Sequence, residues 1–274
     1  MRVAGEVEDV MLDPEEHESL PDGRFLARTK SFVRRGTRMP KSLQNTWDQY
    51  ANDFLIEVGR TTGKMSVDPS QDLELPTQYP SEQPLIVEIG CGGGDQLIAA
   101  AQRWPDHNFL GLEVWRPGLA KTVSKAVAAG VENVKLIEAD ATAVLSHLLP
   151  EAYVSEVWTF FPDPWRKARH HKRRLVQVEF AGKIAHVLKD GGIWRLATDW
   201  DDYAWHMRDV VEAAEDFANP YLGQNPDQND PEPERGGYAP RFSGRVITRF
   251  EQRGLDAGRQ VHDLVGVRLP REER

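Results

Sequence analysis

Short apolar runs alternate with helical segments from residue 85 onward, and this alternation constrains the fold more than any other feature of the chain. Five apolar runs have the length of buried strands. They are LIVEIG (85–90), FLGLEV (109–114), VKLIEAD (134–140), VSEVWTFFP (154–162) and GIWRLATD (192–199). Because strands that alternate with helices form parallel sheets, the pattern predicts an α/β fold with a doubly wound sheet and right-handed crossovers.

The later part of the chain carries further patterns. Helices are predicted over 174–192 and roughly 201–217, and residues 219–240 are rich in Pro, Gly, Asn and Asp, which predicts a surface loop. VITRFEQRG (246–254) and HDLVGVR (262–268) are predicted to pair as a C-terminal antiparallel hairpin.

The acidic charge is concentrated at the N-terminus. Residues 1–23 hold eight acidic side chains and one arginine, so they carry −7 of the formal net charge of −9. We predict a disordered acidic extension over 1–24, a basic element and linker over 25–84, and the sheet-forming domain over 85–274.

Composition narrows the class of protein. The one cysteine, Cys91, excludes an intrachain disulfide and a zinc site built from cysteines, which fits a reducing compartment. No apolar run approaches the ~20 residues that span a membrane, and no secretory signal is visible. We therefore expect a soluble cytoplasmic protein with no metal site and no membrane partner.

A glycine loop follows the first predicted strand in VEIGCGGGD (87–95). Gly90 and Gly92 allow a tight turn and close approach of the backbone to a ligand. The dinucleotide fingerprint requires a third glycine where this chain has Asp95. Glu88 lies two residues before the loop, where a carboxylate would repel a pyrophosphate and suits a cationic or hydroxylated ligand instead.

Two more acids end the next two strands. Glu113 can accept hydrogen bonds from both hydroxyls of a ribose, and Asp140 can accept one from the amino group of adenine. Together with Glu88 they describe a nucleoside with a positively charged appendage. S-adenosylmethionine fits this description, whereas NAD fits it poorly.

The stretch FFPDPW (160–165) places Asp163 between two prolines, which stiffens the loop that carries it. The aromatic neighbours offer stacking faces, as enzymes that modify a base require. A carboxylate here can accept hydrogen bonds from N1–H and the exocyclic amine of guanine.

Basic side chains dominate the residues that follow, with eight arginine, lysine or histidine residues in 166–174. Phosphate contacts supply most of the affinity for nucleic acids, so a basic run beside the candidate site predicts a polyanion. RFLARTKSFVRRGTR (24–38) is a second basic stretch.

Five ordered motifs carry a family resemblance: VEIGCGGG, FLGLEV, FFPDPWRKARHHKRR, LATDW (196–200) and TRFEQRG (248–254). With SFVRRGTR (31–38), they make the chain resemble bacterial tRNA (guanine-N7)-methyltransferases over roughly residues 30–268. The resemblance implies a Rossmann-like, class I S-adenosylmethionine-dependent enzyme that methylates N7 of the variable-loop guanine, position 46, of tRNA. It also implies a monomer or homodimer without an obligate protein partner.

The resemblance assigns roles to individual residues. The cofactor pocket would be lined by Glu88, Glu113, Asp140 and Asp163, and Asp163 would also be the active-site residue. The substrate contacts would be Lys167, Asp199, Thr248, Arg249, Phe250 and Glu251. The RNA contacts would be Arg169, His170, His171, Lys172, Arg173 and Arg174. The chain departs from the family pattern at residues 1–24 and at His262, where tryptophan is more usual.

Three rival functions share parts of this sequence pattern. An amino-directed nucleic-acid methyltransferase would share the PDPW-like loop, but the motif order and the basic run argue against it. A catalytically inactive RNA-binding protein would not need Glu88, Glu113 and Asp140 together. An NAD-dependent oxidoreductase is disfavoured by Glu88 and by the missing third glycine.

Overall fold

The computed structural model describes residues 17–19, 25–27, 31–32, 36–61, 63 and 65–271. Strands β1 (His17–Ser19) and β2 (Phe25–Ala27) pair antiparallel. Strand β1 falls within residues 1–24, whose assignment as a disordered acidic extension stays a prediction, and the rest of that extension lies outside the described residues. Much of the basic stretch 24–38 lies outside them as well.

The main sheet has seven strands in the order β5-β4-β3-β6-β7-β9-β8. They are β3 (Leu85–Ile89), β4 (Asn108–Glu113), β5 (Val134–Glu138), β6 (Val154–Phe160), β7 (Leu188–Thr198), β8 (Phe217–Ala218) and β9 (His262–Arg268). Strands β3 to β7 are parallel, and β9 runs antiparallel to β7 and β8. This confirms the predicted doubly wound α/β fold.

Helices cover both faces of the sheet. They are α1 (Lys41–Phe54), α2 (Asp95–Arg103), α3 (Arg116–Ala129), α4 (Ala141–His147), α5 (Val178–Val187), α6 (Asp201–Ala213) and α7 (Arg249–Asp256). Alternate residues of each strand point to opposite faces. Ile86 therefore packs with α2 and α3, whereas its neighbour Val87 packs in the core that contains α4, α5 and α6. No described helix has the length and apolar character needed to cross a bilayer.

The order of the strands creates a crevice between β3 and β6. The chain runs outward from β3 through β4 and β5, then returns to place β6 on the other side of β3. In such sheets ligands bind beyond the carboxyl ends of the strands at this reversal. The glycine loop after β3 and the Asp163 loop after β6 therefore meet at one edge.

The predicted hairpin between residues 246–254 and 262–268 does not form, because only the second of these segments is a strand. Strand β9 does add antiparallel to the sheet, but its partners are β7 and β8. Residues Arg249–Asp256 form α7, where the hydroxyl of Thr248 accepts a hydrogen bond from the Glu251 amide at 3.3 Å. Thr248 and Glu251 stand in the spacing of a capping box, a signal for a helix that outweighs the strand-like composition.

The predicted helix over 174–192 is also too long. Helix α5 ends at Val187, and β7 begins at Leu188. Gly191, with φ of 75°, and Gly192 lie inside the extended segment rather than after a helix. Residues 219–240 form the predicted loop, which contains a single helical turn. The loop is not confined to the surface, because it buries Asp230 and Tyr238.

The region before β3 packs on the sheet. Helix α1 lies against α3, and Leu55 extends the sheet by a parallel bridge to Leu136 of β5. Residues 66–84, predicted as a linker or surface loop, contribute the buried side chains of Val67, Leu73 and Leu75 to the core. The domain boundary at residue 85 stays a prediction.

Gly111 on β4 tests how tightly the core beneath the crevice is packed. A Cβ added there would lie 2.8 Å from Leu136 and Leu97 and 2.9 Å from the Cys91 sulfur. We expect Gly111→Ala to lower the free energy of unfolding by about 1–3 kcal/mol, measured by urea denaturation. Gly182→Ala on α5 is the matched control, since its Cβ meets nothing within 4 Å and alanine favours a helix. Equal effects of the two substitutions would contradict the packing argument.

Candidate active site

A cavity of about 420 Å³ opens at the crevice. Its walls come from the loops that follow β3, β4, β5, β6 and β7 and from the start of α7. The predicted site residues that line it are Glu88, Gly90, Gly92, Glu113, Asp140, Asp163, Asp199, Thr248 and Phe250. Side chains that the sequence scatters over more than 160 positions therefore share one site.

The glycine loop is bent as predicted. Gly90 and Gly92 have φ of 72° and 57°, a conformation that residues with a Cβ rarely adopt. The loop is fixed by a hydrogen bond from the Gly92 amide to Glu113 Oε2 at 2.8 Å. Backbone atoms of the loop consequently form part of the cavity wall.

Glu113 is held in one orientation at the end of β4. Its Oε1 accepts hydrogen bonds from the amides of Val114 at 2.8 Å and Trp115 at 3.0 Å, while Oε2 accepts from Gly92. Because a carboxylate has about four lone-pair sites, these bonds use both sites of Oε1 and one of Oε2. The three backbone amides hold the carboxylate in one orientation at the cavity wall.

Glu88 differs from the other acids of the site because its carboxylate is buried, with the residue only 5% exposed. Its Oε2 has no hydrogen-bond partner among the described residues. Burial, with smaller contributions from Glu113 and Asp95, raises the pKa of Glu88 to about 8. An uncompensated buried carboxylate beside a cavity fits a ligand that brings a positive charge, such as an ammonium group.

Asp140 sits where β5 leads into α4. Its Oδ1 caps α4 by accepting a hydrogen bond from the Thr142 amide at 2.9 Å. Asp140 also lines the cavity beside Ala139 and Ala141. The cap fixes the side chain at the end of the cavity formed by the β5 loop.

The loop that carries Asp163 is strained. Phe161 and Trp165, which bracket the Pro–Asp–Pro segment, have φ of 51° and 43°. Aromatic residues rarely adopt this left-handed conformation, and each costs of order 1–3 kcal/mol. The Phe161 amide donates to the carbonyl of Ala197 at 2.7 Å, and the Trp165 indole donates to the carbonyl of Ser31 at 3.0 Å. These contacts hold the strained loop in place.

The predicted substrate contacts divide into two groups. Asp199, Thr248 and Phe250 line the cavity, and Phe250 is 55% exposed. Lys167 and Arg249 are exposed and do not line it.

Glu251 does not reach the cavity. It is 1% exposed and pairs with Arg245 at 3.2 Å and Arg241 at 3.1 Å. In this structure its carboxylate supports Arg245 in the wall, and its direct contact with substrate stays a prediction.

The basic run forms a helical turn over Ala168–Arg173 that projects its cations outward. Arg169 and Lys172 are exposed, while His170, His171 and Arg173 are half-buried. Partial desolvation, followed by the neighbouring cations, lowers the pKa of His170, so its ring is neutral at pH 7. Arg174 differs from the rest of the run because it is only 3% exposed, and its RNA contact stays a prediction.

Sequence reasoning missed several wall residues. Ser31 and Phe32 line the cavity, although SFVRRGTR was noted only as a family element. The Arg166 guanidinium lies 4.6 Å above the Trp200 ring, and both side chains line the cavity. In the sequence, Arg166 stands out only as a member of the basic run, and Trp200 only as part of the motif LATDW. No sequence signal marked Arg245.

Arg245 is a buried cation in the wall. Its guanidinium donates to the carboxylate of Asp263 at 2.9 Å and lies 5.5 Å from the rings of both Phe160 and Phe161. No group of three or more potential metal ligands occurs within the described part of the chain.

The chain is similar to several known proteins. A family model described as "Putative methyltransferase" matches residues 82–264. A tRNA (guanine-N(7)-)-methyltransferase of Cutibacterium acnes is 45% identical over 239 residues, covering 87% of this chain and 83% of that protein. One of Paenarthrobacter aurescens is 40% identical over 277 residues, covering 88% of this chain and 92% of that protein. Among solved structures, the 16S rRNA methyltransferase KamB is 20% identical with a TM-score of 0.48, covering 78% of this chain and 98% of that chain.

The Glu88 carboxylate should make stability depend on pH when no ligand is bound. Its pKa is about 8 in the folded state against an ordinary value of 4.5, so the folded state retains the proton to higher pH than the unfolded chain does. The resulting stabilisation is complete below the unfolded pKa and is lost as pH rises through the folded pKa. Relative to Glu88→Gln, we expect the free energy of unfolding of the wild type to fall from pH 5 to pH 8.5. The difference should be on the order of 1.4 kcal/mol per pKa unit of the shift. Urea denaturation at the two pH values tests this, and parallel curves would contradict it.

Proposed function

We propose, because the chain belongs to the family of tRNA (guanine-N(7)-)-methyltransferases, that it methylates N7 of the variable-loop guanine at position 46 of tRNA. The enzyme is S-adenosylmethionine-dependent. One observation carries the assignment of the site. The buried carboxylate of Glu88, whose Oε2 has no hydrogen-bond partner among the described residues, faces the same cavity as the stiff loop of Asp163.

The cofactor side of the cavity is formed by three acids. Glu88 would pair with the ammonium group of S-adenosylmethionine, which compensates its buried charge. Glu113, fixed by three backbone amides, would accept hydrogen bonds from the ribose hydroxyls. Asp140 would accept one from the adenine amino group. When bound, the cofactor supplies an electrophilic methyl group on a sulfonium.

The reaction requires little proton transfer by the protein. N7 of guanine has a free lone pair and no proton, so a bond from N7 to the methyl carbon forms as the carbon–sulfur bond breaks. The bonding electrons go to sulfur, and the positive charge passes to the purine ring. Asp163 would stabilise this charge from its preorganised loop, and positioning supplies the remainder of the rate.

The target base would enter from the side opposite the cofactor acids. Asp199, Thr248 and Phe250 would contact the guanine, and Asp163 would accept from its N1–H and amine edge. Asp199 is oriented by a salt bridge to Arg259 at 2.8 Å. Lys167 and Arg249, exposed next to these residues in sequence, would contact the flanking nucleotides.

The basic run would dock the tRNA backbone. Arg169 and Lys172 offer exposed cations close in sequence to the Asp163 loop, and His170, His171 and Arg173 are partly accessible. Phosphate contacts position a nucleic acid without reading its bases, so the cavity would select the guanine.

We also propose the setting in which the enzyme works. A tRNA substrate and a single reduced cysteine support a cytoplasmic location. The site is completed by one chain's own residues, which supports action as a monomer or homodimer without another protein. The catalytic domain would span residues 85–274, with 25–84 as an element packed against it.

Asp163→Asn tests the central assignment. It keeps the shape of the side chain and removes the charge, so we expect turnover to fall by about 10²- to 10³-fold, the usual effect of losing one electrostatic contact to the transition state. Cofactor affinity measured by calorimetry should change by less than about 5-fold, or 1 kcal/mol. The assay is methylation of an unmodified tRNA transcript, with the product mapped by N7-specific chain cleavage. Near-normal turnover would contradict the role of Asp163, and methylation of an adenine amino group would overturn the substrate assignment.

Arg169→Gln tests tRNA docking. Removing one phosphate contact should weaken tRNA binding and reduce the slope of log affinity against log salt by about 0.7–1. Lys189→Gln is the matched control, because Lys189 is exposed at the start of β7, on the edge of the sheet opposite the cavity. Filter binding at several salt concentrations measures both slopes. Equal slopes for the two variants would remove the basic run from the interface.

A further inference from the structure

We propose that Arg174 is a positioning residue that locks the Asp163 loop to the start of α6, an inference that rests on the proposed function. Arg174 ends the basic run, yet it is 3% exposed while Arg169 and Lys172 in the same run are exposed. A cation withdrawn from the surface cannot contact a phosphate without leaving its site. Its role therefore has to be found inside the protein.

The guanidinium of Arg174 joins two segments. Its Nε donates a hydrogen bond to the carbonyl of Pro164 at 3.0 Å. Its Nη2 donates to Asp202 Oδ2 at 2.6 Å, and its Nη1 donates to the Asp202 carbonyl at 3.3 Å. The ring of Tyr203 lies 4.7 Å from the guanidinium carbon. Three of the nitrogens and one face of the group are thus in use.

Pro164 is the residue directly after Asp163, so the first of these bonds acts on the reacting loop. That loop is strained at Phe161 and at Trp165. A strained conformation persists only where surrounding contacts over-determine it. The Phe161 amide is tied to Ala197 ahead of Asp163, and Arg174 ties the backbone directly behind it.

Asp202 gives the clamp a rigid base. It lies in the first turn of α6, where the helix dipole favours a carboxylate. Asp199 and Trp200, which line the cavity, immediately precede this helix. Arg174 therefore sets the distance between the Asp163 loop and the Asp199–Trp200 wall, the two sides between which the guanine would lie.

Only arginine can make this set of bonds. Its planar fork directs donors from three nitrogens, whereas lysine presents one compact ammonium group. Arg174→Lys keeps the positive charge and removes the geometry. Since positioning errors of about 1 Å can reduce rates 10²-fold, we expect kcat to fall roughly 10- to 100-fold. The affinities for S-adenosylmethionine and tRNA, and the salt slope of tRNA binding, should stay within about 2-fold of wild type.

The matched comparison is Arg103→Lys, at an exposed arginine in the last turn of α2 that does not line the cavity. It makes the same exchange at a position outside the site, so at saturating tRNA its single-turnover rate should exceed that of Arg174→Lys at least about 10-fold. Thermal unfolding of both variants controls for a general loss of stability. A loss of stability in Arg174→Lys with an unchanged kcat would assign it a structural role and overturn the proposal.

Asp202→Asn tests the clamp from its other end and keeps Arg174 in place if Arg174→Lys does not fold. We expect a smaller loss of kcat with unchanged tRNA affinity. The double variant should lose no more than the more damaged single variant, because both substitutions break the same contact. Additive losses would overturn the clamp.

Single-turnover methylation of a tRNA transcript is the decisive measurement. If the wild-type enzyme transfers no methyl group to guanine N7, the proposed function fails, and this inference falls with it. If the wild type is active and Arg174→Lys has a normal rate but weaker, less salt-dependent tRNA binding, Arg174 is a phosphate contact. In that case only the inference is overturned.

Discussion

Parallel strands cannot be joined by tight turns, and this constraint determines where the site lies. Each connection from β3 to β7 must cross a face of the sheet, and the strand order reverses between β3 and β6. The connection after β3 and the connection after β6 lead to opposite sides of the sheet. The crevice beyond the carboxyl ends of these two strands therefore stays open. The cofactor acids and the Asp163 loop meet there because of topology, whereas they are far apart in sequence.

Buried charges in this protein fall into two kinds. Arg174 and Arg245 are buried with carboxylate partners that balance their charges, so their energetic role is to fix geometry. Glu88 is buried without a partner for one oxygen among the described residues, which costs stability in the absence of ligand. The first kind shapes the walls of the cavity, and the second is compensated only by what enters it. The burial of a charge is therefore informative only once its partners are known.

The sequence was sufficient to predict the sheet and to place Glu88, Glu113 and Asp140 at one edge of it, because apolar runs and the acids that end them obey a local rule. It was insufficient where a side chain's direction depends on neighbours that are distant in sequence. A run of cations does not indicate which member turns inward, and only Asp202 and Pro164 make Arg174 an internal residue. Glu251 was likewise predicted as a substrate contact, and the sequence gives no sign that Arg241 and Arg245 lie beside its carboxylate. The capping-box spacing of Thr248 and Glu251 predicts helix α7, whereas the composition of VITRF favours a strand.

The position of β9 has a consequence for how the enzyme is made. A polypeptide leaves the ribosome from its N-terminus, and domains fold as the chain emerges. Strand β9 is the last element of the sheet, it is the sheet partner of β8, and it carries Asp263, which balances the buried charge of Arg245 in the cavity wall. A nascent chain that already contains the acids after β3, β4 and β5 still lacks the strand that supports Arg245. The cavity wall around Arg245 is therefore complete only once β9 has left the ribosome and paired with β7 and β8.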